Sequence, residues 1–407
     1  MEKIFQSEVY PHPAHKKPQY REIQKYRLNR IREQLIKHDY AGALFVDTFN
    51  VRYATGTRNM QLWTIHKPAR YVFIATNGPV ILFEFKGCEH LINSDMPIDE
   101  VRPATSWFYF TSGPRVSERS DVWAAEIAAL VKTHGGGNCR LAIDKLDPAG
   151  LFALSKVGVQ IESGQEIAEQ ARAIKSEDEI IGLKRALGVC QIAFDKVCES
   201  LQPGISENEA WAIMGHANAS LGGEYLETRL LTSGPRTNPW FQEAGTRKIN
   251  AGDLVALDSD MIGPDGYFAD MSRTFICGDE RGTNQQRLIY SLALEQIQHN
   301  MALLAPGKSF RSIVENSWKI PERYKKNRYM SIIHGAGLCG EYPYLPYHQD
   351  FDAKGYDGVI KRNMTLCIES YIGPDDGPEG VKLEQLVLVT EDGTKVLSDY
   401  PFENRLL

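Results

Sequence analysis

The stretch LVALDSDMIGPDGYFADMSRTF, from Leu254 to Phe275, decides how this chain is read. Two strand-like apolar runs flank Gly263-Pro264-Asp265-Gly266, a turn signal with two glycines and a proline, so the segment predicts a β-hairpin. With the turn centred near Pro264 and Asp265, Asp260 falls opposite Asp270. Asp258 shares the face of Asp260, because strand side chains repeat every two residues. Three carboxylates then crowd one patch. Like charges facing each other destabilise a sheet, so an apolar hairpin that keeps them calls for a compensating positive charge.

Further along, MTLCIESYIG, the loop PDDGPEG and VKLEQLVLV repeat the arrangement, with Glu369 and Glu384 equidistant from the loop centre. These acids should also face each other, on strands apolar enough to be buried. A hard, oxygen-preferring divalent cation fits such a set, and one imidazole would widen the choice to iron, manganese, cobalt or zinc. The bland alternative pairs each acid with Arg, Lys or solvent. It suits any single acid better than it suits all five, because buried like charges need a partner. His334, in SIIHGAGLCG, ends an apolar run at a glycine-rich turn. A lone histidine in such a place is more often structural, and its weight comes from the resemblance below.

Around these hairpins the chain has 407 residues, more than one core usually organises, so two domains are expected. Lys and Arg total 46 against 52 Asp and Glu, a formal charge of −6 that is mixed along the sequence. That balance leaves no footprint for nucleic acid and points to a small-molecule substrate. The first twenty residues, MEKIFQSEVYPHPAHKKPQY, lack the apolar core of a signal peptide, and no segment offers 18 uninterrupted apolar residues. A cytoplasmic protein with no membrane partner is expected. The seven cysteines (88, 139, 190, 198, 277, 339 and 367) are odd in number and never form a Cys-x-x-Cys pair, which argues against a disulfide framework and a thiolate zinc site. Most should be small buried apolar residues.

Helical spacing over 20–40 is followed by short apolar runs at 41–48, 70–76, 78–85 and 140–146 and a helix near 119–134, which together predict a small α/β domain. At ARAIKSEDEI, 171–180, the pattern changes to long helices, 177–202 and 207–221, and then to hairpin-like strands. The predicted domains are 1–170 and 171–407.

The order Asp-x-Asp, Asp, His-Gly-x-Gly, Glu, Glu across 258–384 resembles the pita-bread superfamily of methionine aminopeptidase, prolidase and creatinase. The resemblance implies a creatinase-like N-terminal α/β domain followed by a pita-bread domain, with Asp258, Asp260, Asp270, His334, Glu369 and Glu384 as metal ligands. Two departures stand out. The candidates lie twelve and ten residues before Asp270, where the superfamily has a different single spacing. The two histidines that peptidase members use on the substrate are also missing: SGPRTNPWFQE at 233–243 places Trp240 near the first, and HGAGLCGEYP supplies Gly340, Glu341 and Tyr342 after the turn.

A nearer resemblance is to the pita-bread-type dimethylsulfoniopropionate lyases, which share the Asp-x-Asp spacing and the PRTNPWFQ-like segment. It implies an iron site, mono- or dinuclear, with manganese, cobalt or zinc as alternatives, and a pocket lined by Trp63 and Tyr329. It also implies an aspartate base at the place of Gly340, which leaves Glu341 as the substitute, and Tyr329 as the other catalytic candidate. By analogy with creatinase-like relatives a homodimer is expected, with the loop carrying Trp63 reaching the partner's site.

Trp63, Trp240, Phe241 and Tyr329 all fall near turns that should rim the site. Aromatic faces attract sulfonium or quaternary ammonium groups by about 0.5–2 kcal/mol each, although any one such residue is more often core. Arg58, Arg236 and Arg273 offer counter-charges to a substrate carboxylate, and Arg273 equally to a ligand acid. Three readings follow: β-elimination from a small onium carboxylate, hydrolysis of an amide or C–N bond as in Xaa-Pro peptidases or creatinase- and ectoine-type hydrolases, and a non-catalytic binding module.

Overall fold

The computed structural model describes residues 17–67 and 69–407, so most of the N-terminal stretch searched for a signal peptide lies outside the described residues. The chain divides into two compact units, Gln19–Arg172 and one holding Ala173–Leu407.

In the first unit six strands form one mixed sheet, in the order Glu100–Pro103, Val80–Glu84, Tyr71–Ala75, Gly42–Phe45, Arg140–Ile143 and Gln160–Ser163. The runs picked out as apolar supply its four central strands. The two outermost were not legible, since they carry EVRP and QIES and bury little. Leu44, Tyr71, Phe73, Trp123 and Ile127 meet in the core between the sheet and the helix Val116–His134.

In the second unit the helices Glu177–Ser200 and Glu207–Ser220 each start at a reciprocal capping box, Ser176 with Glu179 and Ser206 with Glu209. That pairing satisfies two end donors at once. The first helix approaches the Asp-rich hairpin closely: a Cβ on Gly263 would lie 2.7 Å from that of Ala186. A five-stranded antiparallel sheet runs Gly340–Leu345, Ile333–Ala336, Thr365–Ile372, Val381–Val389, Thr394–Val396. The helix Asn284–Ala302 packs on it, where buried Gln296 bonds both Ser370 and Tyr347. Arg273 is a correction to the sequence reading. It is fully buried, donates to the carbonyls of Ser272, Glu384 and Tyr400, and so pins the C-terminal segment without facing a substrate.

Candidate metal centre

The hairpin 254–276 pairs Ser272 with Asp258 and Met261 with Ala269, a register that sets Asp260 against Asp270. The strand alternation expected to align Asp258 with Asp260 does not run through. Strand Leu254–Asp258 ends, Ser259 turns its hydroxyl onto the Ala269 and Met271 backbone, and Asp260 adopts a left-handed φ of 36°. This break swings Asp260 back, so that Asp258, Asp260 and Asp270 each place an oxygen within 4.8 Å of the others. Thr228 Oγ1 fixes Asp260 by donating to it at 2.5 Å.

In the large sheet Glu369 and Glu384 are directly paired, and His334 pairs with Cys367 on the other side of the same strand. His334 Nδ1 lies 3.0 Å from the Gly335 carbonyl. Donation there leaves Nε2 as the free lone pair. Nε2 faces Glu369 at 3.3 Å, Asp270 at 3.6 Å and Glu384 at 3.8 Å. Around one tetrahedral ion, ordinary metal–nitrogen and metal–oxygen bonds would separate such atoms by about 3.4 Å. The spacing therefore suits ligands of a common ion.

The acids behave as a crowd of like charges. Burial and then the Glu384 charge hold Asp270 well above its ordinary value, and burial and then Glu369 raise Glu384. Burial alone would lower His334, but the hydrogen bond to Glu369 and the charges of Glu369 and Glu384 hold it at about 9. Asp270 Oδ1 and Glu384 Oε1 are buried and accept no hydrogen bond from the described residues. Buried carboxylate oxygens without partners are costly, and a divalent cation answers both, so the residues present fit a metal.

Sequence reasoning missed Lys382. Its side chain is fully buried, with Nζ 2.7 Å from Glu369, 3.1 Å from Asp258, 3.4 Å from Glu384 and 2.6 Å from the Ser272 hydroxyl. Burial pulls its pKa down, but Asp258, Glu369 and Glu384 outweigh that and keep it charged. Part of the compensating charge demanded by the hairpins is thus built into the chain. The period-two spacing from Glu384 was the available signal, since residues two apart on a strand share a face. Cys367 was also passed over as a small apolar residue. Its Sγ lies 3.7 Å from Asp270 Oδ2.

The aromatic candidates in this unit come together. Tyr329 lies with its ring 4.8 Å from Lys382 Nζ and stacks on Phe241 at 5.1 Å. Trp240 is 6% exposed, packs with Leu230, Ala256 and Tyr371, and its Nε1–H finds no partner among the described residues. Trp63 belongs to the N-terminal unit, on helix Gln61–His66, with its ring 5.6 Å from Phe85. Arg236 is paired with Glu207 and donates to the Glu243 carbonyl, and Arg58 is exposed. Glu341 is buried, with Oε2 2.8 Å from Lys175 Nζ and Oε1 accepting from Leu338 N–H at 2.9 Å. A Cβ on Gly337 would lie 2.5 Å from both its oxygens, so the glycine turn closes over this carboxylate.

Comparison with known proteins agrees with this geometry. The sequence profile of metallopeptidase family M24 matches residues 182–391. The dimethylsulfoniopropionate lyase DddP of Roseovarius nubinhibens is 36% identical over 395 residues, 96% of this chain and 89% of its own. An Xaa-Pro dipeptidase of Pyrococcus furiosus is 28% identical over 240 residues, 57% of this chain and 65% of its own. Among solved structures, an Xaa-Pro dipeptidase from Bacillus anthracis superposes with a TM-score of 0.75 at 22% identity, covering 93% of this chain and 99% of that one. Among the described residues no helix is long and apolar enough to cross a membrane. With paired carboxylates and an imidazole gathered on pita-bread hairpins, and this profile spanning them, the chain belongs to metallopeptidase family M24.

Proposed function

We propose that the protein is a metal-dependent lyase that eliminates dimethyl sulfide from dimethylsulfoniopropionate. The observation that carries this reading is the 36% identity to the DddP lyase along 96% of the chain, against 57% shared with the dipeptidase. The site supports it. Tyr329 and Phe241 form a stacked pair beside the acids, and a cation, the Lys382 ammonium, already sits against the Tyr329 ring. A sulfonium is held by the same attraction and cannot lose its charge by titration.

In the elimination a base takes a proton from the carbon next to the carboxylate, and the freed pair forms the carbon–carbon double bond. The carbon–sulfur bond breaks as that double bond forms, and neutral dimethyl sulfide leaves with its electron pair, giving acrylate. Asp258, Asp260, Asp270, His334, Glu369 and Glu384 would hold the metal, one ion or two, which we assign as iron with manganese, cobalt or zinc as alternatives. Such an ion supplies positive charge for the carboxylate of the substrate as enolate-like charge develops. Tyr329 and Phe241 hold the sulfonium and Trp240 backs them, with Trp63 a further substrate-binding candidate by resemblance to the lyases. Tyr329 remains the catalytic candidate at the substrate, whereas Glu341 is held by Lys175 and the turn, and we assign it to the fold.

In this reading 171–407 is the catalytic domain and 1–170 the creatinase-like one. The enzyme works as a cytoplasmic homodimer, a location in keeping with cysteines that are odd in number and form no Cys-x-x-Cys pair. Amide hydrolysis is disfavoured because Trp240 and Glu341 with Tyr342 stand where peptidases carry imidazoles. The test is a side-by-side assay of metal-loaded protein with dimethylsulfoniopropionate, Xaa-Pro dipeptides and cyclic amidines. Dimethyl sulfide release is expected; hydrolysis of a peptide or amidine without it would overturn the lyase reading.

A further inference from the structure

We propose that the Cys367 thiolate is an additional ligand of the metal centre, contributing a soft sulfur donor to a site otherwise made of oxygens and one imidazole. Cys367 sits on strand Thr365–Ile372 two residues before Glu369, on the same face, and pairs across to His334. Its side chain is therefore placed beside the imidazole and the carboxylates by the sheet itself. The Cys367 sulfur, a nitrogen of His334 and an oxygen each from Asp270 and Glu384 all lie within 4.8 Å of one another.

The spacing discriminates. Metal–sulfur and metal–oxygen bonds of ordinary length around a shared tetrahedral ion separate sulfur and oxygen by about 3.6 Å. Cys367 Sγ stands 3.7 Å from Asp270 Oδ2. A second observation points to a ligand at the same place: Asp270 Oδ1 and Glu384 Oε1 are buried and find no hydrogen-bond partner among the described residues. A thiol hydrogen-bonded to Asp270 would leave both oxygens unanswered, whereas an ion shared by the four residues answers the cluster as a whole. On binding, the thiol gives its proton to solvent and the sulfur its lone pair to the ion. A thiolate shifts preference toward iron(II), cobalt or zinc and away from manganese or magnesium.

This inference rests on the metal reading and not on the lyase reading, so its test uses no turnover. The full chain, stripped and reloaded with cobalt(II), is examined by absorption spectroscopy beside Cys367→Ser and Cys190→Ala. Cys190 is the control, because it is buried near Ser259. Wild type and Cys190→Ala are expected to show sulfur-to-cobalt charge-transfer absorption in the near ultraviolet. Cys367→Ser should lose that band while keeping bound cobalt and its weaker visible bands. Its zinc affinity should also fall at least about 10-fold relative to its manganese affinity. Wild-type protein that binds cobalt without the band would overturn the assignment even if Cys367→Ser failed to fold. Wild-type protein that binds no cobalt would overturn it together with the metal site.

Discussion

Replacing Lys382 with Met keeps the bulk of a buried side chain and removes one positive charge from among Asp258, Glu369 and Glu384. In metal-free protein those acids then lose their built-in partner, and the cheapest relief is to protonate one of them. Burial raises the Glu369 pKa, but Lys382, followed by His334, outweighs burial and holds it below its ordinary value of 4.5. Without the lysine, protonation at pH 7 means paying for about two and a half pH units at about 1.4 kcal/mol each, roughly 3.5 kcal/mol. This agrees with the range of about 3–5 kcal/mol for breaking a buried ion pair. For a unit of this size it corresponds to a melting temperature lower by about 7–14 °C. The sign is fixed by linkage: the depressed Glu369 of the parent keeps its full contribution at both pH 7 and pH 5, above its ordinary value of 4.5. The variant's acid is instead protonated in the fold and ionised on unfolding, so the variant loses stability as pH rises above that value. The penalty should thus shrink to under about 1 kcal/mol at pH 5. It should also be smaller in metal-loaded protein, where the ion supplies the charge. Calorimetry of both proteins at the two pH values, stripped and loaded, checks this. An equal loss at pH 5 and pH 7, or with and without metal, would mean that Lys382 matters for packing alone.

Asp270→Ala should purify without metal and without activity, yet fold, because removing a like charge relieves the repulsion; full metal occupancy would refute the ligand set. Metal affinity should rise with pH between about 6 and 9, with protons released on binding. The reason is that metal-free His334, at about 9, carries a proton at neutral pH that ligation must displace, and Asp270 and Glu384 are raised in the same direction. Calorimetric titration in two buffers of different ionisation enthalpy measures that release, and pH-independent binding would contradict it. Glu341→Gln should lower the melting temperature, because Lys175 is left buried beside a neutral amide, while turnover per bound metal stays unchanged. A rate loss of about 10²–10⁴-fold at unchanged stability would instead identify Glu341 as the base.

Both hairpins were legible because turn chemistry fixes register: Gly263-Pro264-Asp265-Gly266 and the loop before Gly380 place their acids opposite each other by counting alone. The capping boxes and the apolar stripes of the long helices were visible for similarly local reasons. The left-handed break at Asp260 was not, since Ser259 achieves it through its own hydroxyl bonds and leaves no pattern. Lys382 escaped notice because a lysine in a strand reads as exposed. Only the long-range meeting of two hairpins buries it. The ion pair of Glu341 was hidden for the same reason, since its partner Lys175 lies 166 residues away in sequence.

The most direct test of the central claim is to strip the protein of metal and titrate ferrous iron back under anaerobic conditions. Bound metal and dimethyl sulfide release from dimethylsulfoniopropionate are followed on the same samples, with Asp270→Ala alongside. Release should be absent from stripped protein, return in proportion to bound iron and saturate at one or two ions per chain, with neither binding nor release in the variant. Undiminished release from protein shown to be metal-free, or full iron binding with no release at any occupancy, would contradict it.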